Sequence, residues 1–103
     1  IHVFAQTLKG IGSPARICFL IDKSGGSLLV VPYEKRDFVS HAVPGSVYLH
    51  NGKMEVNSYR LCRAIANTHG WDLTRSYRVP GVIFADKRTA VYDLTKAVLT
   101  GIQ

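Results

Sequence analysis

The sequence predicts a small α+β domain with a mainly antiparallel sheet built of hairpins, one main helix and short helical turns. Three observations support this class. Turn signals recur about every ten residues, which is typical of a chain rich in strands. Residues 16–21 and 27–31 are apolar runs of strand length. One amphipathic segment of helical length begins at Ser58. A chain of 103 residues fits a single domain over residues 1–103.

The first half of the chain contains three predicted strands. Residues 2–7 are expected to form the first strand, and residues 9–14 break it with two glycines and a proline. Residues 16–21 and 27–31 are expected to form a hairpin in the middle of the sheet. Because both runs are apolar on both faces, we expect both faces to be covered. Pro32 ends the second run, and residues 33–39 are predicted as a short helical turn.

Residues 47–56 carry the strongest local hairpin signal. Asn51-Gly52 is the preferred pair for a two-residue type I′ turn, whose central residues both have positive φ. This register places four apolar side chains on one face and the polar ones on the other. We therefore expect a half-buried hairpin; its apolar residues are Val47, Leu49, Met54 and Val56.

The main helix is predicted to run from Ser58 to His69, with Asn57 as its N-cap and Gly70 at its end. An apolar stripe on one side predicts packing against the sheet, and basic residues lie on the other side. The stripe consists of Leu61, Cys62, Ile65 and Ala66, and the polar side of Arg60, Arg63 and Asn67.

The last third predicts two more strands. Residues 77–85 are interrupted by Pro80-Gly81, a turn follows at residues 86–88, and residues 89–92 pair back. Asp93 or Thr95 is expected to cap a short helix that extends through Leu99. Packing all the helices on one face of the sheet is the simplest arrangement.

The composition gives a modest indication of partners. The net charge of +6 favours attraction to polyanions. Cys18 and Cys62 are interpreted as small core residues, and their separation implies no particular disulfide. No charged-then-apolar leader opens the chain and no apolar stretch is long enough to cross a bilayer, so we expect a cytoplasmic protein without membrane contact.

No catalytic or metal-binding motif is present in the sequence. The four histidines and two cysteines match no zinc spacing, and the seven acids do not cluster. Gly10-Ile11-Gly12 lacks the third glycine of a dinucleotide-binding turn. We predict no cofactor, no metal and no catalytic residue. An enzyme would require a deep pocket lined by Tyr48, His50 or Cys62.

Basic residues are the main candidates for a binding site. The helix from Ser58 carries Arg60 and Arg63 without any acid, so an external phosphate would find unpaired guanidinium groups there. These two arginines are the predicted primary nucleic-acid contacts. Arg36, Lys87 and Arg88 are predicted as secondary contacts. The alternative is that these residues form an ordinary solvated surface.

The order of features from Asp22 to Val56 resembles that of AbrB-type swapped-hairpin DNA-binding domains. The resemblance covers about a third of the chain and implies a DNA-binding regulatory domain. Its elements are Asp22, Gly26, the strand ending at Val31-Pro32, Arg36, Val39, Gly45 and the hairpin from Val47 to Val56.

Three functions therefore remain open. The first is a nucleic-acid-binding domain, of which a DNA-binding regulatory domain is the finer form, in which phosphate neutralisation dominates affinity. The second is a protein-interaction or structural domain that self-associates through its sheet edges as a homodimer. The third is an enzyme or ligand-binding protein with a dispersed site.

Overall fold

The computed structural model describes residues 1–100, and an antiparallel sheet of five strands organises it. In chain order the elements are β1 (His2–Phe4), α1 (Ala5–Gly10), β2 (Arg16–Ile21), β3 (Ser27–Pro32), β4 (His41–Ala42), α2 (Gly45–Leu49), β5 (Lys53–Glu55), α3 (Tyr59–His69), β6 (Tyr77–Arg78), β7 (Gly81–Phe84), β8 (Thr89–Asp93) and β9 (Val98–Leu99). The predicted α+β class with one main helix is confirmed.

The large sheet has the strand order β4-β2-β3-β8-β7, and all its neighbours are antiparallel. Two small antiparallel pairs, β1 with β5 and β6 with β9, lie outside it. The predicted hairpin of residues 16–21 and 27–31 is confirmed as β2 and β3, with β3 at the centre of the sheet.

One face of the large sheet carries the core. Ile17, Val30 and Ala90 project from β2, β3 and β8 and pack with Leu8 and Ile11 at α1, in a cluster that α2 and the β1–β5 pair complete. A second cluster joins α3 to the other end of the same face through Leu28, Ile65 and Leu94. The helices therefore cover a single face, as the simplest arrangement predicts.

The opposite face, which we call the open face, is not covered by any helix of the described residues. Cα pairing aligns Leu20, Leu29, Val91 and Val82 in one row across four strands, so their side chains project to the same side. Leu20 and Val82 are exposed. The prediction that both faces are covered is thus wrong. Apolar periodicity shows that a strand has two apolar faces but not what packs on them.

The predicted hairpin of residues 47–56 does not form. Residues 45–49 are helical as α2, and β5 pairs with β1 instead: Val3 lies opposite Met54. Asn51 has a φ of +50°, but the positive-φ glycines of the described residues do not include Gly52, so the turn is not type I′. Val47, Met54 and Val56 are buried as expected, whereas Leu49 is exposed.

Three smaller predictions also need correction. Residues 5–10 are helical rather than a continuation of the first strand, because Ala5 and Leu8 on one side of α1 enter the core. Residues 33–39 form an irregular loop, not a helical turn. Asp93 does cap the segment after β8, where its carboxylate accepts from the Thr95 amide. That segment, however, is a single 3-10 turn followed by β9.

The end of α3 provides a test of backbone strain. Gly70 has a φ of +69°, and a Cβ there would meet no atom within 4 Å. A left-handed conformation costs a non-glycine residue about 1–2 kcal/mol. We expect Gly70→Ala to lower the free energy of unfolding by about 1 kcal/mol in urea titrations. Gly45→Ala is the control, since Gly45 also has open space but lies at the start of α2 without positive φ; it should be neutral or stabilising.

The ring of His41 links stability to pH near neutrality. Burial first, and the Arg16 charge second, lower the pKa of His41 below its usual 6.5. The unfolded chain therefore takes up this proton before the folded chain does, and stability falls as pH drops through about 6.5. His41→Phe keeps a ring beside Phe19, which His41 contacts edge-on at 5.4 Å. We expect the variant to lose less stability than the natural chain between about pH 7.5 and 5.5; an equal loss would contradict the assignment.

Candidate functional site

The helix α3 presents the predicted primary contacts. Ser58, one residue after the predicted Asn57, is the N-cap, and its hydroxyl accepts from the Leu61 amide at 3.3 Å. Gly70 ends the helix as predicted. Ile65 and Ala66 face the core and fix the rotation of the helix, so that Arg60 and Arg63 point outwards.

Arg60 and Arg63 lie one turn apart beside an exposed aromatic ring. The guanidinium carbon of Arg63 is 5.9 Å from the centre of the Tyr59 ring, which is within cation–π range. Within residues 1–100 the ion pairs join His2 to Glu55 and Lys96 to Asp93, so neither arginine has a carboxylate partner in this part of the chain. We call Tyr59, Arg60 and Arg63 the arginine surface of α3.

Several acids are engaged within their own turns. Asp22 accepts from the Ser27 amide, and this bond is the main reason why its pKa lies below the usual value. Hydrogen bonds from Thr74 lower the pKa of Asp72 in the same way, and those from Thr95 lower the pKa of Asp93. These three carboxylates are hydrogen-bonded as anions within their own turns. They do not pair with Arg60 or Arg63, whose guanidinium groups therefore face solvent or an external partner.

The secondary contacts lie elsewhere. Arg36 belongs to the loop after β3, and Lys87 and Arg88 belong to the turn between β7 and β8. Because Val30 pairs with Ala90, these two connections leave the same end of the sheet. The C-terminal end of α3 is held at the opposite end, where the His69 ring lies 2.6 Å from the Gly25 carbonyl oxygen.

Arg88 has a structural partner that the sequence does not indicate. Its Nε donates to the Ile11 carbonyl oxygen at 3.2 Å, and its guanidinium packs over Gly12. Arg88 itself has a φ of +49°. The side chain therefore ties the β7–β8 turn to the end of α1. Of the five predicted contacts, Arg60 and Arg63 share one helix and one exposed surface, whereas Lys87 and Arg88 share a turn in which the arginine is engaged with the end of α1.

The loop of residues 33–40, which we call the Asp37 loop, is ordered by its own side chains instead of by the predicted helical turn. Asp37 accepts from the Tyr33 hydroxyl at 2.9 Å and from the Val39 amide at 3.1 Å. The first of these bonds raises the pKa of Tyr33. The loop carries Arg36 and holds Phe38 almost fully in solvent. Phe38 and Val39, which follow four charged residues, were the sequence signal for this exposed apolar pair.

A buried polar contact anchors the Asp37 loop to the sheet. The guanidinium of Arg16 donates to the Ser40 hydroxyl at 2.9 and 2.7 Å, and that hydroxyl donates to the Asp37 carbonyl oxygen. Beside it, Cys18 is buried, and burial, with a smaller effect of the Asp37 charge, raises the pKa of its thiol. Arg16 and Cys18 both lie on the open face, so the loop borders that face.

The charges divide between the two sides of the molecule. The connections and strand ends of the large sheet hold seven cations and five anions: Arg16, Lys23, Lys35, Arg36, Lys87, Arg88 and Lys96 against Asp22, Glu34, Asp37, Asp86 and Asp93. Most of the positive excess therefore belongs to the remaining residues. These are Lys9, Lys53, Arg60, Arg63, Arg75 and Arg78 against Glu55 and Asp72.

Within residues 1–100 the surface has two shallow concavities. They measure about 140 and 370 Å³. The first is lined mainly by β7 and β8, the second by Arg78 and residues 98–100, and neither contains Tyr48, His50 or Cys62. Within residues 1–100, no three His, Cys, Asp or Glu side chains form a group that could hold a metal ion.

Comparison with known proteins gives no relative. No family model, curated protein or solved structure matches this chain. The similarity to AbrB-type domains stays a prediction, and its last element has the form of α2 and β5 here. In residues 1–100 no helix combines the length and apolar character needed to cross a membrane.

The Ser40 contact gives a test of how the Asp37 loop is held. Ser40→Ala removes the acceptor of two guanidinium bonds, and an unsatisfied, partly buried charged group costs about 1–3 kcal/mol. We expect a loss of stability in this range and faster tryptic cleavage after Lys35 or Arg36. Ser46→Ala, at an exposed position of α2, serves as the control and should leave both unchanged. Equal cleavage rates for the two variants would contradict the anchoring role.

Proposed function

We propose that this domain binds nucleic acid through the arginine surface of α3. The observation that carries the proposal is the pair of exposed guanidinium groups of Arg60 and Arg63, which lack carboxylate partners within residues 1–100. Two such groups can each neutralise a phosphate, and phosphate contacts provide most of the affinity of non-specific binding.

The exposed ring of Tyr59 supports a role in binding single-stranded chains. Bases stack on aromatic side chains in proteins that bind single strands, and each stack contributes about 1–3 kcal/mol. Tyr59 lies beside the two arginines on the same surface. The positive excess on the helical side provides long-range attraction towards this surface.

A charge-matched pair of double variants tests this proposal. Arg60→Ala/Arg63→Ala and Lys23→Ala/Lys35→Ala both remove two positive charges from exposed positions. We expect only the arginine variant to weaken binding of fluorescein-labelled single-stranded DNA, duplex DNA or RNA, by about tenfold or more. Its slope of log affinity against log salt should fall by about 1.4–1.8, as for the loss of two phosphate contacts. Equal weakening by both variants would reduce the effect to net charge, and undetectable binding by the natural chain at low salt would refute the function.

A protein-interaction domain is the second candidate function. The edge strand β7 contains Gly81, Val82, Ile83 and Phe84, all exposed and uncharged. No strand of residues 1–100 pairs with its outer side. Uncharged edge strands readily add strands from other chains. The open face adds apolar surface to this edge.

A further inference from the structure

The open face of the sheet has the features of an interface. Besides the row of Leu20, Leu29, Val91 and Val82, alternation along the strands adds Val31 and Phe84 to the same side. The largest apolar patch of a typical monomer measures about 300–600 Å² and is often functional. We propose that a second copy of this chain docks on the open face and forms a sheet-on-sheet homodimer. The inference deepens the second candidate function by naming its partner and its surface.

The available area matches a modest dimer. Phe38 and Val39 of the Asp37 loop extend the patch where that loop borders the open face. The exposed fractions of the five most accessible residues are 49% for Leu20, 60% for Val82, 44% for Phe84, 88% for Phe38 and 42% for Val39. At about 200 Å² for a large apolar residue, the patch offers about 570 Å² on each copy. The resulting total of about 1,100 Å² lies just below standard interfaces, in the range of weak associations, so we expect an affinity no tighter than micromolar.

The charge distribution favours a second copy as the occupant. The connections and strand ends of the large sheet carry seven cations and five anions, and two of the cations, Arg16 and Arg88, are hydrogen-bonded to Ser40 and Ile11 of the same chain. The small positive excess of each rim opposes the approach of a second copy only weakly. The open face itself has Arg16 at one end and Asp93 at the other, so each end of one copy is complementary to the opposite end of a second.

The positive excess does not oppose this dimer. In face-to-face packing the two sheets lie about 10 Å apart and the helical layers point outwards. Most of the excess cations of the two copies are then separated by more than the Debye length of about 8 Å at physiological salt. The arginine surfaces of α3 remain exposed on both sides. Dimer formation should therefore depend little on salt, in contrast to nucleic-acid binding.

Sedimentation velocity over a concentration series tests the proposal. We expect the natural chain to shift from monomer to dimer between about 5 and 500 µM. Val91→Lys and Leu20→Lys should each weaken the dimer at least about tenfold. Leu49→Lys and Val98→Lys add the same charge at exposed apolar positions off the open face and should leave it within about twofold. Val91 is on the inner strand β8, so a weaker dimer in Val91→Lys cannot result from a disturbed edge strand.

Methyl NMR of the natural chain gives a second readout that needs no variant to fold. As the protein concentration is raised, the methyl signals of Leu29, Val31 and Val91 should shift, while those of Leu49 and Val98 should not. If Val91→Lys still dimerises and the open-face methyl signals do not move, docking on the open face is wrong, but self-association through an edge strand remains. If the natural chain stays monomeric across the series, both modes of self-association are wrong. Loss of nucleic-acid binding in the arginine variant does not test either mode of self-association.

Discussion

Packing of the helical layer on one side of the sheet is the constraint on which the rest of the structure depends. Leu8 and Ile11 meet Ile17 and Val30 there, and each of these four is fully buried. Burial of each such side chain contributes about 1.5–3 kcal/mol. Because every helix of residues 1–100 packs on this side, these residues form two unlike surfaces: a helical one with most of the positive excess and an apolar sheet face. We propose nucleic-acid binding on the first surface and docking of a second copy on the second.

Strands with strong local signals could be predicted. Apolar runs bounded by glycine or proline located β2 and β3 closely, and the turn at residues 86–88 located β8. The failure at residues 47–56 has a different cause. Asn51-Gly52 favours a turn, but turn chemistry does not decide which strand pairs with β5. That choice depends on β1, about fifty residues earlier in the chain.

The residues of the candidate site likewise divide into those that local sequence predicts and those that depend on distant contacts. Helical periodicity places Arg60 and Arg63 outward, so their position could be predicted from local sequence. The bond from Arg88 to Ile11 joins residues 77 positions apart, and the bond from Arg16 to Ser40 spans 24. No local pattern encodes such contacts. The bare second face was equally hidden, since it results from where three helices pack and not from the strands themselves.

The pairing of β1 with β5 has a consequence for the order in which the chain acquires structure. During synthesis residues 2–4 are made before β2 and β3, and their partners at 53–55 only after both of these strands are complete. Contacts this distant in sequence slow folding. The segment that ends at Phe4 therefore has no pairing partner at the stage when the central hairpin can already form.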